Sequence, residues 1–440
     1  MTLLLIALSL AADPAALLRA AHEDDLAAAQ KLLATGADAK AANRYGVTPL
    51  ALACTNGNAA MARLLLQAGA GANQRLASGE TVLMTAARTG NAGVLEALVK
   101  AGADVNAKES TRGQTALMWA AAEGHVAAVE ALLAAGADAK ARIGSGYNAL
   151  LFAVREGRIG AVQTLLKAGL DVNDTIQPSN SGGGRVLGGG PARAQTSALI
   201  LAVLNGHYEL GALLLDAGAN PNAIESGWTA LHAVNQARKP GVGDNNPSPI
   251  GSGALTSLDM VRKLKEKGAD LNARMTKKIA VGLTALNTTG ATAFLLAARA
   301  GDAELMRLLA SLGADPLIPT VDGATPLIAA AGLGTRSPGE DAGTEPEVME
   351  AVRVALELGN DINAVDKNGE TAMHGAAYKN LPGVVALLAA KGADPNVWNK
   401  PNKQGWTPLR IAEGYRFGNY KPSPVTMDAF HKVMKAAGLE

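Results

Sequence analysis

Six histidines and one cysteine are the side chains of this 440-residue chain best suited to metal binding or nucleophilic chemistry. Their placement argues against both. None of His22, His125, His207, His232, His374 and His431 shares a helix face with a second histidine at metal-ligand spacing. Cys54 stands alone in "LALACTNG", which excludes a disulfide framework and a cysteine-based metal site and predicts a small core residue. The glycine runs within 182–190 suggest a phosphate loop. They lack the G-x-G-x-x-G spacing, and no Gly-Lys-Ser/Thr follows, so a flexible linker is expected. "GEDAGTEPEVME" gathers Glu340, Asp341, Glu345, Glu347 and Glu350, an oxygen-rich set that could hold Ca²⁺. The Asp/Asn alternation and central glycine of a calcium loop are missing, which favours a solvated acidic loop. No spacing locates a pair of hydrolytic acids or a Ser/His/Asp set. Asn173-Asp174-Thr175 and Asn287-Thr288-Thr289 are glycosylation sequons, relevant only in a eukaryotic secretory host. No cofactor and no catalytic residue are expected.

The elements that would position any site recur. A threonine, or its replacement, falls at Thr48, Thr81, Thr115, Asn148, Ser197, Thr229, Thr292, Thr325, Thr371 and Thr407. A closing glycine falls at Gly36, Gly69, Gly102, Gly136, Gly169, Gly218, Gly268, Gly313, Gly359, Gly392 and Gly438, with first intervals of 33, 33, 34 and 33 residues. Such periodicity overrides the two or three domains that length alone suggests. In residues 113–138, Thr115 can cap a helix through its hydroxyl. Ala116 holds the first helical position, where other copies use Pro49, Pro326 and Pro408. Leu117, Ala120 and Ala121 form one apolar face. Glu123-Gly124-His125 turns the chain, Val129, Leu132 and Leu133 face the core from a second helix, and Gly136 ends it in a left-handed conformation. One such hairpin cannot bury its apolar face; a stack can.

"VTPLALACTNGNAAMARLLLQAGAGAN", "QTALMWAAAEGHVAAVEALLAAGADAK" and "ETAMHGAAYKNLPGVVALLAAKGADPN" resemble ankyrin repeats. Eleven units cover residues 13–440. The resemblance implies an all-α ankyrin-repeat solenoid of helix-loop-helix units joined by short hairpin loops, with a concave inner face. It implies protein binding through that face and the hairpin tips. It also implies that His232 and His374, at the T-x-L-H position, hydrogen-bond to the cap threonine and a neighbouring loop. The first unit departs from the pattern, with Asp13-Pro14 as cap and first helical residue, which suits a terminal repeat.

Five insertions break the period: 174–195 and 274–290 in hairpin loops, and 235–257, 332–347 and 414–424 between the two helices of units 7, 9 and 11. All are rich in Gly, Pro and polar residues. Repeats stack about 10 Å apart, so the last three are expected about 20 Å from one another along one edge, forming a composite surface. Tolerated loop growth is the alternative.

Aromatics make up 3% of the chain, and the apolar 48% is dominated by small and aliphatic residues. Finding Tyr147, Trp228, Trp406 and Tyr378 at the least constrained repeat positions therefore marks them as candidate contact residues, with Arg88, Arg155, Lys379, Arg44 and Arg112. Glu370 occupies the same position as Trp228. Trp119 and Phe152 replace core leucines and are read as packing. The tips of the first eight units lean basic (Arg44, Arg75, Lys108, Arg112, Arg142, Arg185, Arg193, Arg274, Lys277, Lys278 against Glu109, Asp174, Glu225). A basic edge favours an acidic partner through salt-sensitive steering; ordinary solubilising charge explains it equally. The net charge of +1 argues against a general nucleic-acid binder. "MTLLLIALSLAADP" carries an apolar run, Leu3 to Ala12, too short to span a bilayer but long enough for a signal-peptide core. Residues 1–11 are thus expected to be a signal peptide or apolar leader and 12–440 a single repeat array. The expected protein is an exported, periplasmic or secreted monomeric scaffold or inhibitor without a transmembrane span, its partners unidentified proteins. Cytoplasmic residence is the alternative. An enzyme or effector with a site built from the insertions, or a metal- or ligand-responsive module using 340–350, is the competing function.

Overall fold

The computed structural model describes residues 14–177, 194–240, 248–418 and 421–439. These form two compact units, Met1–Arg185 and Val186–Glu440, divided within the inserted stretch 174–195. The apolar leader lies outside the described residues. The first unit holds five helix pairs: α1 (Pro14–His22) with α2 (Leu26–Ala34), α3 (Pro49–Asn56) with α4 (Ala59–Gln67), α5 (Val82–Thr89) with α6 (Ala92–Lys100), α7 (Ala116–Glu123) with α8 (Val126–Ala134), and α9 (Ala149–Arg155) with α10 (Ile159–Lys167). The second unit holds α11 (Ala198–Leu204) with α12 (Tyr208–Asp216), α13 (Ala230–Arg238) with α14 (Ser257–Glu266), and α15 (Ala293–Arg299) with α16 (Ala303–Ser311). It continues with α17 (Pro326–Ala330) and α18 (Glu345–Glu357), α19 (Ala372–Lys379) and α20 (Pro382–Ala390), the short α21 (Pro395–Trp398), and α22 (Pro408–Ala412) with α23 (Pro424–Ala436). Each unit is an all-α ankyrin stack, and among the described residues only two isolated β-bridges occur.

Local chemistry sets this order. Thr48 Oγ1 accepts from Ala51 N at 3.2 Å, and Thr81, Thr115, Asn148, Ser197, Thr292, Thr325 and Thr407 cap their helices in the same way. All eleven closing glycines have φ between 72° and 97°, which only glycine adopts cheaply. Within each unit, first helices pack on first helices and second helices on second helices. In the first unit Leu50, Leu83, Leu117 and Leu150 from one layer and Leu65, Leu98, Leu132 and Leu165 from the other are buried in one apolar seam. Each such leucine contributes about 2 kcal/mol. The motif asparagines tie successive hairpins together: Asn73 Nδ2 donates to Gly102 O at 2.9 Å while its Oδ1 accepts from Asp104 N at 2.6 Å. Cys54 is buried, and burial pushes its thiol up to about 12. Among the described residues no helix is long and apolar enough to cross a membrane.

Candidate functional site

Described residues of the second unit's insertions contact one another, and 274–290, which the expected composite edge left out, is among them. Insertion 274–290 meets 332–347 across an antiparallel bridge, with Ala285 N donating to Gly334 O at 2.7 Å and Arg336 N to Leu283 O at 3.0 Å. Gly418, in 414–424, presses on the same segment: a Cβ there would lie 2.6 Å from Arg336 O. Lys239, in 235–257, pairs with Glu347 at 2.6 Å, and Arg238 pairs with Asp302 at 2.6 Å and Glu304 at 2.9 Å. Helix α13 runs to Arg238, so this insertion begins later than its composition implies, and residues 241–247 lie outside the described ones. Gly334 carries the weave: its φ is 72°, and a Cβ there would lie 2.8 Å from Leu286 N. Gly334→Ala is expected to destabilise by more than the roughly 1–2 kcal/mol of a left-handed alanine. Gly313→Ala, with φ 97° and no atom within 4 Å, should show that conformational cost alone. Equal melting shifts for the two would refute a tight bridge.

Four of the anticipated contact residues are not on the surface, and a residue of an insertion bonds at or next to each of them. Trp228 is fully buried (0% exposed). Insertion 274–290 folds back on its hairpin, with Thr276 N donating to Gly227 O at 3.0 Å and Lys277 lying across Gly227. Tyr378 is 1% exposed, with Arg416 from 414–424 donating to its carbonyl at 2.9 Å. Lys379, 4% exposed, donates its ammonium to Ala342 O in 332–347. Tyr147 is buried against Phe152, ring centroids 5.4 Å apart, and Gln177 N at the start of 174–195 donates to Gly146 O in its hairpin. Trp406 stays half-buried, 5.2 Å edge-on from Phe417. Arg44, Arg88 and Arg112 are exposed, Arg88 lying 5.5 Å over Trp119, and Arg155 is half-buried beside Glu156 and Phe152. Phe152 packs in the core as expected.

Several basic tips also have internal duties. Arg75 donates to Gly79 O and Lys108 O, Arg142 pairs with Asp174, and Arg274 donates to Gly290 O and Pro319 O. These guanidinium groups fasten hairpins rather than forming a free basic edge. Arg185 and Arg193 lie outside the described residues.

At the T-x-L-H position His232 does what the resemblance implied, bonding its cap threonine and the following hairpin, whereas His374 bonds its cap threonine and its buried Nε2 makes no hydrogen bond. His232 Nδ1 accepts from Thr229 N at 3.2 Å, and Nε2 bonds Ala291 O at 3.1 Å in the following hairpin. His374 Nδ1 accepts from Thr371 N at 3.2 Å. Burial lowers both rings to about 4, so they are neutral at pH 7. His125 and His207 bond Arg88 O and Ser252 Oγ. The acidic loop is likewise used internally. Asp341 pairs with Arg299 at 2.5 Å in a fully enclosed contact, and Glu345 accepts from Gly383 N at 2.6 Å. Glu347 caps Thr344 and is lowered to about 2 by Lys239, and Glu350 pairs with Arg307 and Arg353. Among the described residues no group of three His, Cys, Asp or Glu side chains is placed to hold a metal ion.

Where three insertions meet three successive hairpin tips, a cavity of about 120 Å³ opens. Leu286 and Asn287 enter it from 274–290, Leu333 and Gly334 from 332–347, and Phe417 from 414–424. Asp322, Asp366, Asn368 and Gln404 come from the tips, Glu370 from the residue before the Thr371 cap, and Tyr378 from α19. Asn287 Nδ2 donates to Asp322 Oδ2 at 3.0 Å. Glu370 Oε1 accepts from Tyr378 Oη at 2.8 Å and Asn402 Nδ2 at 2.9 Å. Burial raises the carboxyls of Asp366 and Glu370 above their usual range, and burial beside Glu370 raises the Tyr378 phenol. Phe417 is 43% exposed at the rim, and Arg410 stacks on exposed Tyr415 at 3.7 Å. Glu370 was legible as a repeat-surface position. Asp322 and Asp366 carried no signal, because only folded insertions make their hairpin tips into walls.

Models described as "Ankyrin repeats (3 copies)" match residues 17–109, 107–176 and 345–420, and an "Ankyrin repeat" model matches 195–225 and 289–321. The chain is 31% identical over 222 residues to the B-cell lymphoma 3 protein homolog of Mus musculus, 50% of this chain and 40% of that one. It is 36% identical over 146 residues to the Neurogenic locus notch homolog protein 1 of Xenopus tropicalis, covering 28% of this chain and 6% of that one. Over 65 residues it is 34% identical to Ankyrin repeat protein 14 of Vaccinia virus, 15% of this chain and 26% of that one. The chain thus spans less than half the length of each. With threonine-capped, glycine-closed helix pairs and repeat models matched over more than half its residues, the chain belongs to the ankyrin-repeat family.

Proposed function

We propose that this chain is a non-catalytic scaffold or inhibitor that binds a protein partner through the insertion-built face of its second unit. Ankyrin repeats mediate protein–protein interactions, and the supporting observation is the convergence of 274–290, 332–347 and 414–424 with three hairpin tips on one partly apolar cavity. Loops tied down by buried charge and backbone pairing present a preorganised surface, which lowers the ordering cost of association. Exposed Phe417 and Tyr415 and half-buried Trp406 supply rigid aromatic contact there, the residue type that most often dominates interface energetics. Export belongs to the same proposal and rests on the apolar run from Leu3 to Ala12.

A photo-crosslinking amino acid at Phe417, in cells that make the protein natively, is expected to yield a discrete protein adduct. The same group at Glu357, exposed on α18, should yield none. Equal adducts from both positions, or none from Phe417, would refute the assignment of this face.

A further inference from the structure

The cavity has an acidic floor and an apolar rim. Among the described residues, no Lys, Arg or His lies within ion-pairing distance of Asp322, Asp366 or Glu370, although ion pairs are plentiful elsewhere in the unit. Glu370 is only 8% exposed and lines the cavity, and its hydrogen bonds from Tyr378 and Asn402 both go to Oε1, leaving Oε2 open to solvent there. Its other oxygen is fixed by Tyr378 and Asn402, so the carboxylate is held in place with one oxygen unused. A carboxylate oxygen fixed in place and open to the cavity is ready to accept a charge-assisted hydrogen bond from a cationic donor. Among the described residues no three carboxylates are grouped to hold a metal ion, which favours a complementary cation that spreads its donors. A guanidinium does this, offering five N–H groups across a plane that also stacks on aromatic faces. About 120 Å³ accommodates several waters and therefore the end of a long side chain. Leu286, Leu333 and Phe417 line the path its methylenes would follow.

We propose that this cavity receives an arginine side chain presented by the protein partner, its guanidinium bonded to Glu370 Oε2 and Asp322 and its stem packed against Phe417. The inference rests on the binding role assigned to this face above. It reverses the polarity that the basic hairpin tips suggested: at this site the partner is basic.

The test uses the full chain and N-acetyl-arginine methylamide, with the lysine and norleucine equivalents as comparators, followed by saturation-transfer NMR at millimolar concentration. The arginine probe is expected to bind at least tenfold more tightly than the norleucine probe. Glu370→Gln, which keeps the oxygen that Tyr378 and Asn402 address, and Asp322→Asn are each expected to weaken it about tenfold, the loss of one charge-assisted hydrogen bond. Their melting temperatures should stay near the parent value. No transfer to the arginine probe, equal binding of norleucine, or binding indifferent to both substitutions in folded protein would overturn the proposal. Normal Phe417 crosslinks in the Glu370→Gln protein would remove the arginine and leave the binding face standing. Probe binding without any protein adduct would assign the cavity to a free guanidinium compound and remove the partner-borne side chain.

Discussion

Asp341→Ala should destabilise the second unit by roughly 3–5 kcal/mol, the penalty for removing one partner of a buried ion pair. Arg299, the last residue of α15, is 5% exposed, its Nη2 is held by Asp341 Oδ1, and its Nε already lacks a partner. Without the carboxylate, a full positive charge is left in an enclosed site. The damage spreads, because Asp341 is also the main favourable charge on buried Lys379, whose ammonium burial has already lowered to about 8. Lys379 anchors Ala342, so residues 332–347 should exchange backbone hydrogens faster, and the cavity walled by Leu333 and Gly334 should loosen. Calorimetric melting and hydrogen exchange over this segment measure both effects. The double change Arg299→Met/Asp341→Leu should recover most of the loss, since the Arg299 charge is no longer left unpaired and its repulsion of Lys379 goes together with Asp341's attraction. A loss below about 1 kcal/mol for Asp341→Ala, the range of a surface pair, would mean that water reaches Arg299.

The protein is also expected to lose stability as pH falls from 6.5 towards 4. His232 and His374 are held neutral in the folded state, lowered to about 4 chiefly by burial, with backbone contacts and, for His232, Asp270 opposing the shift. Their unfolded value is near 6.5. Below that pH the unfolded chain takes up protons that the folded one refuses, so the stability they provide above pH 6.5 drains away as pH falls. The full loss, about 3 kcal/mol per histidine, is reached only below pH 4. Protonation would also convert Nδ1 from an acceptor into a donor facing the N–H groups of Thr229 and Thr371. Asp366 and Glu370 act in the opposite sense, because their raised carboxyls are relieved by protonation. Glutamine at this third helical position can accept the same cap N–H. His232→Gln/His374→Gln should therefore flatten the melting profile between pH 7 and pH 4.5 while keeping the caps. If the double variant retains the parent slope, the acid sensitivity arises elsewhere.

The sequence by itself determined the repeating unit. Cap residues, first-position prolines, closing glycines and apolar spacing act within a few residues of chain, so Thr48, Pro49 and Gly69 place their helices without reference to the rest of the molecule. It also anticipated the bond that His232 and His374 each make to their own cap threonine, since a histidine three residues after its cap acts locally. Only the tertiary structure decided what the insertions cover. Trp228, Tyr378 and Tyr147 stand at repeat positions that are open in a regular stack, yet here all three are buried, with residues tens of positions away bonded at or beside each of them. The same long-range packing turned the acidic loop from a solvated stretch into a set of clasps and left Asp322, Asp366 and Glu370 together around one cavity. Burial and charge pairing depend on which atoms exclude water, and that is fixed only once distant segments have docked.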